Sequence, residues 1–153
     1  MKIGFVGVGI MGAPMAGHLA DAGHEVCACD IGDIPQELTG KGVKQVANGK
    51  EAAEASEVVI VMVPDTPDVA KVLFGAGGVA EGLSAGKIVV DMSSISPVDT
   101  KEFAKKINDL GCQYLDAPVS GGEVGAKAAS LTIMVGGAQG TFDTVKPLFD
   151  LMG

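Results

Sequence analysis

The sequence predicts a doubly wound α/β domain with a mostly parallel sheet, on three observations. A glycine-rich turn, Gly7-x-Gly9-x-x-Gly12, follows an apolar run and opens a stretch with helical spacing. An unbroken apolar run rich in β-branched residues, Val58-Val-Ile-Val-Met-Val63, has the continuity of a strand covered on both faces, and Lys87-Ile-Val-Val-Asp91 reads as the next buried strand. Strand-like and helix-like segments alternate through two βαβ-rich stretches, roughly residues 1 to 63 and 87 to 152.

The first strand is expected to end near Val6, and the helix after the glycines carries Met11, Met15 and Leu19 on one face. Gly7 permits a sharp turn, Gly9 lets the backbone approach a pyrophosphate, and Gly12 lets the helix lie close on the sheet. The helix N-terminus then offers an anion free N–H groups and a positive dipole end. No Lys or Arg occurs between Ile3 and Gly40, so a phosphate here is held by backbone rather than by side-chain charge. This is the dinucleotide arrangement of a Rossmann fold. The alternative is a glycine turn that merely packs tightly.

Ala22-Gly23-His24 stops the helix, and Glu25 to Cys29 reads as the second strand, ending at Asp30. An acid at this strand end accepts hydrogen bonds from ribose hydroxyls and repels a 2′-phosphate. Ile31-Gly32-Asp33 offers no guanidinium to offset that repulsion, which favours NAD over NADP, although Lys41 and Lys44 are near enough in sequence to fold back. The competing role for Asp30 is a turn-capping carboxylate. Gln36 to Gly40 reads as a short helix, Val43 to Val46 as a brief strand and Lys50 to Ser56 as a helix turn.

The Val58 run stops at Pro64-Asp65-Thr66-Pro67, a loop at the carboxyl end of the sheet, where ligands of such folds lie. A helix from about Pro67 to Leu73 follows, and Gly75-Ala-Gly-Gly78 lacks a preceding strand, so it reads as a turn rather than a second phosphate loop. After Asp91 come Ser93 and Ser94, either facing a bound ligand or satisfying local backbone. Ser96 is a candidate N-cap and Pro97 a natural first residue for a helix running to Leu110. Gly111 ends that helix, and Gln113 to Asp116 leads into Ala117-Pro-Val-Ser-Gly-Gly122. Ser120, Gly121 and Gly122 can expose successive N–H groups to a carboxylate, or form an ordinary turn. A strand from Leu131 to Val135 and a last helix with Phe142, Val145 and Phe149 inward close the chain.

Composition bounds the function. The 153 residues fit one domain, residues 1–153, and suffice for a real core. Hydrophobic content is 47% with only 4% aromatics, so that core is aliphatic. A net charge of −8 and a pI near 4.6 argue against general nucleic-acid or anionic-membrane binding, which need clustered Lys and Arg. The apolar runs are too short to span a bilayer, and the start reads directly into the first strand, so a cytoplasmic protein is expected. The three cysteines show neither C-x-x-C nor a histidine partner, so neither a metal site nor a catalytic thiol is expected. His18 and His24 read as structural or solvated.

Three stretches together resemble the amino-terminal domain of the β-hydroxyacid dehydrogenase family. They are Gly7-x-Gly9-Ile-Met-Gly12 with Pro14-Met-Ala16, Asp91-Met-Ser-Ser-Ile-Ser-Pro97, and Asp116-Ala-Pro-Val-Ser-Gly-Gly122 with Gly125-Ala126. The wording Met92-Ser-Ser-Ile95, and Glu123 after the double glycine, look more like the tartronate semialdehyde (2-hydroxy-3-oxopropionate) reductase branch than the 3-hydroxyisobutyrate dehydrogenase branch. The resemblance implies an NAD-dependent oxidoreductase of short 3-hydroxy acids. It implies cofactor contacts at Gly7, Gly9, Ile10, Met11, Gly12, Asp30, Val63, Pro64, Asp68 and Ser94, and substrate contacts at Ser120, Gly121 and Gly122. Relatives commonly carry asparagine where His18 stands, away from the phosphates. The family's catalytic lysine lies in a G-x-G-x-x-x-K-x-x-x-N segment that opens a second, all-helical domain. Nothing after Gly137 matches it, so no catalytic residue is expected within this chain, and Lys127 is assigned to the substrate loop. The longer enzyme is expected to be a homo-oligomer acting on a small hydroxy acid or semialdehyde. A non-catalytic NAD-sensing module is the rival from another class.

Overall fold

A computed structural model describes residues 1–153. Six parallel strands form the central sheet: β1 (Lys2–Val6), β2 (Glu25–Cys29), β3 (Lys44–Gln45), β4 (Val58–Val61), β5 (Ile88–Asp91) and β6 (Gln113–Asp116). Their order is β3-β2-β1-β4-β5-β6, so the chain winds outward from β1 to one edge, crosses back, and winds outward again from β4. The carboxyl ends of β1 and β4 therefore diverge into opposite connections. A crevice opens there, as at the switch point of doubly wound sheets.

One face of the sheet carries α1 (Gly12–Asp21), α2 (Gln36–Thr39), α7 (Gly122–Ala128) and α8 (Gln139–Met152) over a cluster that includes Ile3, Phe5, Met15, Leu19, Leu115 and Met152. The other face carries α3 (Gly49–Glu54), α4 (Thr66–Phe74), α5 (Val79–Gly82) and α6 (Pro97–Asp109) over Val59, Val61, Leu73, Val89, Phe103 and Ile107. Burial of β4 and β5 on both faces is what their continuous apolar runs require. The expected inward face of α8 is present, with Val145 and Phe149 buried and Phe142 stacked on Phe149.

Three local expectations are corrected. The run expected to stay in the sheet to Val63 leaves it after Val61, because the Val63 N–H donates to the Ser93 hydroxyl at 3.0 Å instead of to a strand. The strand expected over Leu131 to Val135 is two residues, β8 (Thr132–Ile133), and pairs antiparallel with β7 (Val119–Ser120) in a separate ribbon outside the main sheet. Lys127 lies on helix α7 rather than in a loop, paired with Glu123 one turn away at 2.7 Å. As expected, Ser96 holds the N-cap position of α6 and Pro97 starts the helix with no N–H to satisfy, although the Ser96 side chain makes no capping bond and its N–H donates to the Thr66 hydroxyl.

Candidate functional site

The glycine turn is built by close approach. Gly7 takes φ +97°, and a Cβ there would strike the Met62 carbonyl; one on Gly12 would strike the Gly7 carbonyl. These two glycines are needed to fold the turn. Gly9 differs, because a Cβ on it would meet no protein atom within 4 Å. The N–H groups of Gly9, Ile10, Met11 and Gly12 have no protein acceptor, whereas Val8 donates to Asp30. Four free donors beside an open glycine, at the start of α1, offer an anion the N–H groups and dipole end it needs. Ile10 is exposed and Met11 half-buried against the core.

Beside this turn, at the carboxyl ends of β1, β2 and β4, lies a cleft of about 400 Å³. It gathers five of the residues predicted from sequence: Gly7, Asp30, Val63, Pro64 and Asp68. The Asp30 carboxylate accepts from Val8 N–H at 2.9 Å and from Ile31 N–H at 2.7 Å. It is exposed, and a carboxylate has about four acceptor positions, so two backbone bonds leave capacity for two hydroxyls. Capping the turn and lining the cleft are thus compatible. Lys41 is committed elsewhere, to Asp21 at 2.7 Å.

The far walls of the cleft escaped sequence reasoning. Ala47, Asn48 and Gly49 enter from the start of α3, Lys71 and Val72 from α4, and Ala76, Gly77 and Gly78 from the turn after it. The glycine cluster is a turn as expected, yet it also encloses the cleft. The spacing of Asp68 and Lys71 on an amphipathic helix was the available signal, since it puts both on the same outer face. Cys29 also lines the cleft, and burial pushes its thiol up to about 12, which keeps it protonated and unreactive at neutral pH.

The exits of β5 and β6 form the neighbouring part of the same sheet edge. Ser93 is buried and serves the backbone of the β4 exit, while Ser94 is exposed. Asp91 is wholly buried; it accepts from Ser93 N–H at 2.9 Å and from the Tyr114 hydroxyl at 3.2 Å. Burial pushes its carboxyl up to about 6, against the downward pull of the Ser93 and Tyr114 donors. Burial likewise raises the Tyr114 hydroxyl and the Asp116 carboxyl. Ser120, Gly121 and Gly122 are exposed at the turn from β7 into α7 and do not line the cleft. Gly121 and Gly122 adopt φ +134° and +60°, conformations that favour glycine. His18 bridges α1 to α7 through the Ala126 carbonyl at 2.8 Å, and His24 meets the amino terminus, so both serve structure.

Residues 2–153 match the family model described as the NAD binding domain of 6-phosphogluconate dehydrogenase. The chain belongs to this NAD-binding domain family. The domain is 53% identical over 153 residues to 2-hydroxy-3-oxopropionate reductase of Escherichia coli, covering 100% of this chain and 52% of that protein. It is 35% identical over 152 residues to mitochondrial 3-hydroxyisobutyrate dehydrogenase of Mus musculus, covering 99% of this chain and 45% of the other. A solved structure of Mycobacterium tuberculosis 3-hydroxyisobutyrate dehydrogenase with L-serine superposes with a TM-score of 0.88 at 35% identity, over 99% of this chain and 52% of that one. The NAD-binding domain thus spans about half the length of the relatives it matches. No helix is long and apolar enough to cross a membrane.

Proposed function

We propose that residues 1–153 are the cofactor-binding domain of a cytoplasmic NAD-dependent reductase that converts 2-hydroxy-3-oxopropionate to glycerate. The observation that carries this reading is the 53% identity over the whole domain to a reductase of that name, in a chain with an open dinucleotide cleft. In this proposal the free N–H groups from Gly9 to Gly12 hold the pyrophosphate and the remaining acceptor positions of Asp30 take the adenosine ribose hydroxyls. Val63, Pro64 and Asp68 flank the cofactor along the β4 exit, and Ser94 faces its nicotinamide end. Ser120, Gly121 and Gly122 receive the substrate carboxylate.

The bound cofactor supplies hydride chemistry; the domain's residues bind and orient. The family resemblance assigns the proton donor to a lysine in a second domain, so none of these residues is given that role. The likeness to 3-hydroxyisobutyrate dehydrogenases, at 35% identity, supports 3-hydroxyisobutyrate as the second substrate reading. A chimera joining residues 1–153 to the remaining half of the Escherichia coli reductase tests the proposal. Higher kcat/KM on 2-hydroxy-3-oxopropionate than on 3-hydroxyisobutyrate is expected. The reverse order favours the second reading, and NAD binding without turnover on either favours a sensing module.

A further inference from the structure

Asp91 is an anomaly of the core: a fully buried carboxylate at the carboxyl end of β5, with no cation acting on it. Its partners are Ser93 N–H at 2.9 Å and the Tyr114 hydroxyl at 3.2 Å, and the titratable groups facing it are Tyr114 and Asp116, both on β6. Ser93 in turn accepts the Val63 N–H at 3.0 Å, and Val63 lines the cleft. One chain of bonds therefore runs from β6, through Asp91 and the β5 exit, to the backbone of the β4 exit.

We propose that Asp91 is a positioning residue for the cofactor, its carboxylate holding Ser93 so that the Val63 and Ser94 loops form one preorganised wall. The inference rests on the NAD-binding reading of the cleft. Two physical points favour it over a stabilising role. A folded-state carboxyl raised to about 6 from its ordinary 3.8 means that the folded chain binds more protons than the unfolded chain between those values. Stability therefore falls as pH rises through that window, and at neutral pH the buried charge opposes folding. What the charge provides is strength of attachment, because a carboxylate accepts an N–H or O–H more tightly than a neutral acid or amide does.

Below about pH 6 the protonated carboxyl competes with the Tyr114 hydroxyl as a donor, and the anchor of Ser93 weakens. NAD⁺ affinity is therefore expected to fall about fivefold between about pH 8 and about pH 5, the difference between charge-assisted and neutral bonds. Asp91→Asn keeps the shape and removes the charge. At about pH 8 it should bind NAD⁺ about fivefold more weakly, lose the pH dependence, and melt no lower than the wild type. Tyr114→Phe removes a donor that stabilises the charged form, so it should move the pH of affinity loss upward.

Calorimetric titration of the 153-residue chain with NAD⁺ across pH, paired with thermal melts, reads all three. An unchanged affinity and pH profile in Asp91→Asn overturns the inference alone, as does a Tyr114→Phe midpoint that stays or moves down. Absence of NAD⁺ binding by the wild type at every pH overturns the cofactor reading, and this inference with it.

Discussion

Replacing Gly9 by alanine separates the folding glycines from the one proposed to bind the cofactor. Its φ is not in the left-handed range, its surroundings are open to 4 Å, and it is exposed, so an L residue fits the turn without displacing protein atoms. Stability should change little; the loss of unfolded-state entropy favours the variant by about 0.4–1 kcal/mol. Binding should suffer, because the new methyl occupies the space through which a pyrophosphate reaches the N–H groups of Gly9 and Ile10. Losing one charge-assisted hydrogen bond costs about 1.5–3 kcal/mol, which corresponds to roughly 10- to 140-fold in affinity. Gly12→Ala is the contrasting variant, since its Cβ meets the Gly7 carbonyl and should lower the melting temperature. Calorimetric titration with NAD⁺ and thermal melts give both quantities. Gly9→Ala binding NAD⁺ as tightly as the wild type would refute the placement of the pyrophosphate. A large fall in its melting temperature would refute the open geometry.

Cofactor choice should follow Asp30: the chimera is expected to prefer NADH to NADPH in kcat/KM, and Asp30→Ala to narrow the gap while loosening the turn that Val8 N–H anchors. A wild-type preference for NADPH, with Lys71 in the same cleft supplying the cation, would contradict this. Gly122→Val places a β-branched residue at φ +60°, a backbone cost of about 1–2 kcal/mol. It should raise the substrate KM of the chimera with NAD affinity nearly intact, whereas equal loss of both would indicate misfolding.

Much of the fold was legible because a parallel sheet buried on both faces writes itself as apolar runs. Val58 to Val61 and Ile88 to Asp91 have no other packing available. The glycine turn was legible because part of its constraint is local, Gly12 against the Gly7 carbonyl, although Gly7 itself is confined by the distant Met62 carbonyl. Helix α7 was not, since its Gly-Glu-Val-Gly start reads as loop; it is held by a bond from His18, more than a hundred residues earlier, and by the Glu123–Lys127 pair. The ribbon of β7 and β8 has two-residue strands, too short for any periodic signal. At the site, residues on strand ends were predictable because the sheet fixes their position. Asn48 and Gly77 line the cleft only through the packing of α3, α4 and α5 on one another, which no spacing encodes, whereas Lys71 shares an outer helix face with Asp68. Asp91 was visible as a strand end, but its complete burial depends on neighbours in β6 and the β5 exit.

The most direct measurement is titration of the 153-residue chain with NADH, followed by an assay of the same sample on 2-hydroxy-3-oxopropionate. Saturable binding with essentially no turnover is predicted: the proposed pyrophosphate and adenosine sites both lie within these residues, while no general acid is assigned among them, a loss typically worth about 10²–10⁴ in rate. Robust turnover would contradict the placement of the proton donor outside this domain. Absence of NADH binding would contradict the assignment of Gly9 to Gly12 and Asp30 as a self-sufficient cofactor site.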